Sequence, residues 1–165
     1  MYEFIKSLDS YFNFEEASAH CDIPCKIYDP AVTQIAVLSM IRMVDLIEEL
    51  RAKDELSLAD QVQLTRLVME KEQQGINVKK EVTIIWGDYF KTPQIEKHPH
   101  VHELVHDIMM KSSFAKQHVD KAATIELLDL VNQFAAIFWQ TKGVDTYTAT
   151  CPYPPQQTVV YPKLV

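Results

Sequence analysis

Residues 29–53 read DPAVTQIAVLSMIRMVDLIEELRAK, and the fold is decided there. Asp29-Pro30 is a helix start, a capping side chain followed by proline at the first helical position. Val32, Ile35, Ala36, Ile41, Val44, Ile47 and Leu50 then recur near helical spacing, which predicts an amphipathic helix ending at about Lys53. Beyond it, Ser57 and Asp60 are spaced like a capping box. They open a second helix through Val62, Leu64, Leu67 and Val68. Gly75 interrupts, as a break or a tolerated defect. The run VTIIW at 82–86 could be a strand taken alone, but no partner strand is evident, so it reads as helix up to about Phe90. Pro93 and Pro99 bracket a loop. A third helix is expected over 100–113, with Val101, Leu104, Val105 and Ile108 on one stripe. A fourth is expected over 120–142, with Ile125, Leu128, Val131, Phe134, Ala135 and Phe138. Residues 143–165 hold four prolines and no helical period, and read as an extended tail. The sum is an all-α chain, a four-helix bundle carrying an N-terminal segment and an extended C-terminal tail.

Composition agrees with one helical domain. The chain has 165 residues, 47% of them apolar, with three glycines and no long Val/Thr-rich alternation, which argues against a sandwich or barrel. Its formal net charge of −7 makes a nucleic-acid partner unfavourable. No run of about 20 apolar residues is present, so no membrane span is expected. Three cysteines do not make a disulfide framework of the small secreted kind; reduced thiols in a cytoplasmic compartment are the simplest reading. The first nineteen residues set four acids against one lysine, unlike a secretory or transit segment. Alone they read as an amphipathic helix with Tyr2, Ile5, Leu8 and Phe12 near one face. Yet Ala17-Ser18-Ala19 is the kind of small-residue run that peptidases accept, and the residues directly after it reverse the balance towards a cleaved leader.

Those residues are His20-Cys21-Asp22-Ile23-Pro24-Cys25, with Tyr28 close behind. A bare C-x-x-x-C means little. A cut between Ala19 and His20, however, would leave an α-amine, an imidazole, a backbone amide and two thiols within six residues. Amine, Cys21 amide nitrogen and Cys21 thiolate form adjacent chelate rings, and Cys25 closes a square plane. Tetragonal N,S coordination suits Ni(II) or Cu(II) better than tetrahedral zinc.

The hook resembles that of the nickel-containing superoxide dismutases, and the likeness runs on. Trp86-Gly87-Asp88-Tyr89-Phe90-Lys91, with Pro93, Glu96-Lys97 and Pro99 after it, is similar to that family's W-S-D-Y-F-K block. Phe138-Trp139-Gln140-Thr141-Lys142 is similar to its closing F-W-E-T-K. The resemblance implies a leader over 1–19 removed by a peptidase, a nickel hook and four-helix bundle over 20–142, and a homohexamer. It implies one nickel ion per subunit, held by His20, Cys21 and Cys25, cycling between Ni(II) and Ni(III) as two superoxides become oxygen and hydrogen peroxide. Tyr28 and Tyr89 match the family's two tyrosines on the approach to the metal; without the match, Tyr28 is as readily a core aromatic. Lys91 would add positive charge to steer the anion. The activity would be antioxidant.

The sequence also departs from the family. Lys26 stands where the family has glycine, and either attracts superoxide or is simply solvated. Ungapped alignment places Ala36 and Gln74 where the family has the glutamate and arginine that support the axial histidine. Their loss implies weaker imidazole ligation and a slower enzyme. The tail beyond 143 has no counterpart in the resemblance; it reads equally as a flexible terminus or as packing on a neighbouring subunit.

A competing motif lies at His102-Glu103-Leu104-Val105-His106, which matches the H-E-x-x-H of zinc peptidases. No third ligand and no substrate-aligning strand accompany it. A nickel- or copper-binding relative without turnover is the other alternative, motivated by Ala36 and Gln74.

Overall fold

The computed structural model describes residues 26–164. Helix α1 spans Ala31–Arg51, α2 Leu58–Ile84, α3 Thr92–Lys97, α4 Val101–Gln117 and α5 Lys121–Thr141. Strands β1, Thr146–Thr150, and β2, Thr158–Pro162, complete the order. The helix starts are those the capping residues dictate. Asp29 Oδ1 accepts from the Ala31 amide at 2.8 Å. Ser57 Oγ accepts from the Asp60 amide while Asp60 Oδ2 accepts from the Ser57 amide, the reciprocal box expected. Lys53 Nζ adds a 2.6 Å contact to the same carboxylate, and with the Ser57 bonds it holds Asp60 down at a pKa of about 2. Asp120 caps α5 through the Ala123 amide.

Helix α1 packs on α2 and α5, and α4 packs on the same two, so chain neighbours are spatial neighbours and α5 closes the ring onto α1. Val37, Met40, Ile41, Val78, Val82, Ile108, Leu127, Val131, Phe134 and Phe138 fill the middle, each essentially inaccessible. Helix α5 is 21 residues long and apolar enough, by length and composition alone, to cross a membrane. Half of that stretch is buried within the chain, as befits the central helix of a bundle.

One alternative left open by the periodicity is decided, and two details differ from it. Helix α2 runs unbroken through Gly75, because the glycine serves close packing rather than a bend. A Cβ there would lie 3.1 Å from Lys116 Cβ and 3.3 Å from Met40 Cε, and Ser112 Oγ donates to the Gly75 carbonyl. The loop between Pro93 and Pro99 contains the short α3. The extended tail folds back as an antiparallel hairpin, Thr146 opposite Pro162 and Thr150 opposite Thr158.

The hairpin docks on its own bundle, burying Cys151, Val159 and Val160. Asn132 of α5 ties it down: its Oδ1 accepts from Gln34 Nε2 and from the Val160 amide, and its Nδ2 donates to the Thr158 carbonyl. Gln34 of α1 also donates to the Val160 carbonyl at 2.9 Å. Burial, with Tyr153 next to it, pushes the Tyr161 phenol up.

One buried charge is structural. Lys71 of α2 is 1% exposed, and its ammonium donates to the carbonyls of Ala115, Lys116 and His118 at 2.6–2.9 Å. These are carbonyls that the end of α4 leaves without helical partners.

Candidate active site

Helix α2 does not simply stop. Its last turn widens into a π-turn over Ile85–Tyr89, with the Phe90 amide reaching back to the Ile85 carbonyl at 3.3 Å. Such turns rotate the side chains beyond them relative to a regular helix. Ile85 goes into the core. Trp86 donates its indole N–H to His102 Nδ1 at 3.0 Å. Tyr89 is half-buried, its ring 4.9 Å from Phe138 and 5.4 Å from Phe90 by centroid distance. Lys91 turns its ammonium back onto the Gly87 carbonyl at 2.8 Å, closing the end of the turn.

Tyr28 meets Tyr89 at 5.8 Å between ring centroids, tilted by 48°. The two tyrosines that the family resemblance pairs are thus brought together by separate elements, the lead-in to α1 and the π-turn. The Tyr89 hydroxyl lies 2.7 Å from Thr141 Oγ1, which itself lies 2.6 Å from the Phe138 carbonyl. A threonine hydroxyl has one proton, and the carbonyl can only accept. Thr141 therefore donates to Phe138, and Tyr89 donates to Thr141. The next residue, Lys142, sets its ammonium 4.3 Å from the Tyr89 ring centroid and 5.6 Å from that of Phe138. Sequence reasoning matched the Phe138–Lys142 block without giving Thr141 or Lys142 a role. No spacing signal could have placed them beside Tyr89, which arrives from another element.

His20, Cys21, Cys25 and the Ala19–His20 cleavage position lie outside the described residues. Tyr28 comes three residues after Cys25, a separation that covalent geometry limits to about 11 Å. Lys26 adopts φ +59°, a left-handed conformation that side chains disfavour and glycine takes freely. Lys26 thus holds a backbone conformation in which glycine would be unstrained.

The residues fit a nickel ion by the chemistry of their donors. Two thiols and an ionisable amide would supply anionic donors, and an imidazole and an amine neutral nitrogens, an N,S set suited to a tetragonal ion. Among the described residues no group of three or more His, Cys, Asp or Glu side chains is placed to hold a metal. Ala36 is 3% exposed in the core and brings no polar side-chain atom. Gln74 donates to Glu70 Oε1 at 2.7 Å and accepts from Asn77, bonds confined to α2. The H-E-x-x-H residues lie on α4, where His102 Nδ1 is already the acceptor for Trp86.

Comparison with known proteins agrees with this geometry. The family model for nickel-containing superoxide dismutase matches residues 15–142. The chain is 40% identical over 125 residues to "Superoxide dismutase [Ni]" of Streptomyces coelicolor, covering 76% of this chain and 89% of that one. It is 37% identical over 127 residues to the protein of the same name from Streptomyces seoulensis, covering 77% and 91%. A solved native structure of nickel superoxide dismutase superimposes with a TM-score of 0.63 at 38% identity, covering 74% of this chain and 99% of that chain. The C-terminal hairpin falls beyond the matched family model.

Proposed function

The chain belongs to the nickel-containing superoxide dismutase family, and from that premise we propose which of its residues carry out each part of the reaction. It is an oxidoreductase that converts two superoxide anions and two protons to oxygen and hydrogen peroxide, with one nickel ion per subunit as cofactor. When bound, nickel supplies the one-electron Ni(II)/Ni(III) couple that takes an electron from one superoxide and gives it to the next.

The chain's own residues do the rest. The Cys21 and Cys25 thiolates hold the ion, with the free amine at His20, the Cys21 amide and the His20 imidazole completing the set. The support for this reading is the matched region, which contains the whole hook, and the short tether from Cys25 to Tyr28. Tyr28 and Tyr89 form an aromatic wall 5.8 Å apart by centroids that narrows the approach and limits water. Tyr89 keeps its hydroxyl proton on Thr141, so the phenol's lone pairs remain to accept from a peroxide proton. Lys91 contributes positive charge to an otherwise acidic chain while its ammonium also closes the π-turn.

The same reading includes removal of residues 1–19 by a leader peptidase, since the amine ligand exists only after the cut. It extends to a homohexamer, an antioxidant role and a cytoplasmic setting. The carrying observation is the agreement of the family match over 15–142 with the Tyr28–Tyr89 pair.

The test compares residues 20–165 loaded with Ni(II) against the uncut chain treated identically, by pulse-radiolysis decay of superoxide. Rapid nickel-dependent decay in the cut form alone is the expected result. Nickel bound without turnover in the cut form would sink the residue assignments and leave a metal-binding protein.

A further inference from the structure

We propose that Lys142 is the substrate-positioning cation of this site, holding the incoming superoxide anion against the Tyr28–Tyr89 wall. This inference rests on the dismutase reading and adds to it a residue and a place. An anion approaching a chain of net charge −7 meets a repulsive background, so a local positive group decides where it can pause.

Two lysines are candidates beside Tyr89. The Lys91 ammonium lies 2.8 Å from the Gly87 carbonyl and so has one donor committed to the end of the π-turn. Lys142 lies on the ring faces of Tyr89 and Phe138 at 4.3 and 5.6 Å, and among the described residues it makes no ion pair. An ammonium has three N–H donors and no acceptor. Seated on aromatic faces, it keeps donors for an oxyanion while the rings restrict an otherwise wandering side chain.

The placement is also tied to the phenol. Thr141, which takes the Tyr89 proton, is the residue before Lys142 on the last turn of α5. One helix end therefore sets both the hydroxyl direction of Tyr89 and the charge above its ring. The ordinary alternative is that Lys142 only complements the negative C-terminal end of α5. That alternative predicts a small loss of stability and no effect on anions.

The experiment uses the metal-free full chain, labelled for NMR and titrated with sodium azide as a small monovalent anion. The Tyr89 ring and Lys142 side-chain resonances are monitored in the wild type, Lys142→Met, Lys142→Arg and Lys91→Met. Expected is a saturable response in the wild type, retained in Lys142→Arg and Lys91→Met and weakened at least about fivefold in Lys142→Met. In the nickel-loaded 20–165 form, Lys142→Met should also flatten the fall of the dismutation rate with ionic strength. An unchanged azide response in Lys142→Met, or none in the wild type, overturns the proposal. Loss of the response in Lys91→Met alone overturns it in favour of Lys91. Because the azide titration needs neither nickel nor turnover, it decides the role of Lys142 even where the dismutase assignments fail.

Discussion

Replacing Asn132 by alanine should detach the C-terminal hairpin at a cost that can be worked from its bonds. Three hydrogen bonds disappear: Gln34 Nε2 to Asn132 Oδ1 at 3.0 Å, the Val160 amide to the same oxygen at 3.1 Å, and Asn132 Nδ2 to the Thr158 carbonyl at 3.0 Å. At about 1 kcal/mol each, the direct loss is about 3 kcal/mol. The Val160 amide and one hydrogen of the Gln34 amide are then buried without acceptors, which adds to the loss. Water offsets part of this, because Asn132 retains 8% exposure at the edge of the hairpin. The expected destabilisation is about 2–4 kcal/mol. Urea titration of the metal-free full chain should show it as a midpoint lowered by about 1–2 M for a slope of about 2 kcal/mol/M. Amide exchange at Val160 should accelerate first. Gln34→Ala should couple to it, since the two share the Oδ1 contact, and the double variant should lose less than the sum. A loss below about 1 kcal/mol, or strict additivity, would refute the claim that this network fastens the hairpin.

Burial lowers the Lys71 ammonium from its ordinary value of 10.5. A lowered lysine binds fewer protons folded than unfolded, so stability should rise with pH between its folded value and 10.5. Thermal melts across that window should show the rise, and Lys71→Met should abolish it while losing about 2–3 kcal/mol near pH 7 through the stranded α4 carbonyls. At Lys26, φ +59° predicts that Lys26→Gly is tolerated and that Lys26→Val adds about 1–2 kcal/mol of strain. Chelator competition on the cut chain should then read a roughly tenfold weaker nickel affinity for valine only. Glu103→Gln should leave superoxide decay unchanged, where a zinc peptidase would lose its base; a dismutation rate lowered more than about twofold would count against this reading.

The helices were legible because their information is local. Asp29, Ser57 and Asp120 start α1, α2 and α5 through bonds made within three residues, and the apolar spacing between them survives into the core. Gly75 stayed open between a break and a tolerated position for an equally physical reason: sequence shows a glycine's freedom but not the Lys116 and Met40 atoms that occupy the space of its missing side chain. The hairpin was hidden because a two-stranded pair takes its stability from the helices it docks on, through Gln34 and Asn132, which lie 98 residues apart. Tyr28 and Tyr89 were singled out through the likeness of two sequence blocks, and their rings do meet. The Thr141–Lys142 contribution could not be, since it exists only where α5 ends beside the π-turn.

The bond from Gln34 to the Val160 carbonyl spans 126 residues, and it fixes an order of events during synthesis. Ribosomes add about 5–20 residues per second, so roughly 6–25 s separate the birth of the first partner from that of the second. The first turn of α1, which carries the tether to the metal-binding end, completes its contacts only when the last strand has been made. The part of the protein translated first is in this sense among the last to be finished. A peptidase acting on the nascent chain would bare the amine and thiols before the first turn of α1 had made its last contacts, whereas one acting after release would meet a finished bundle.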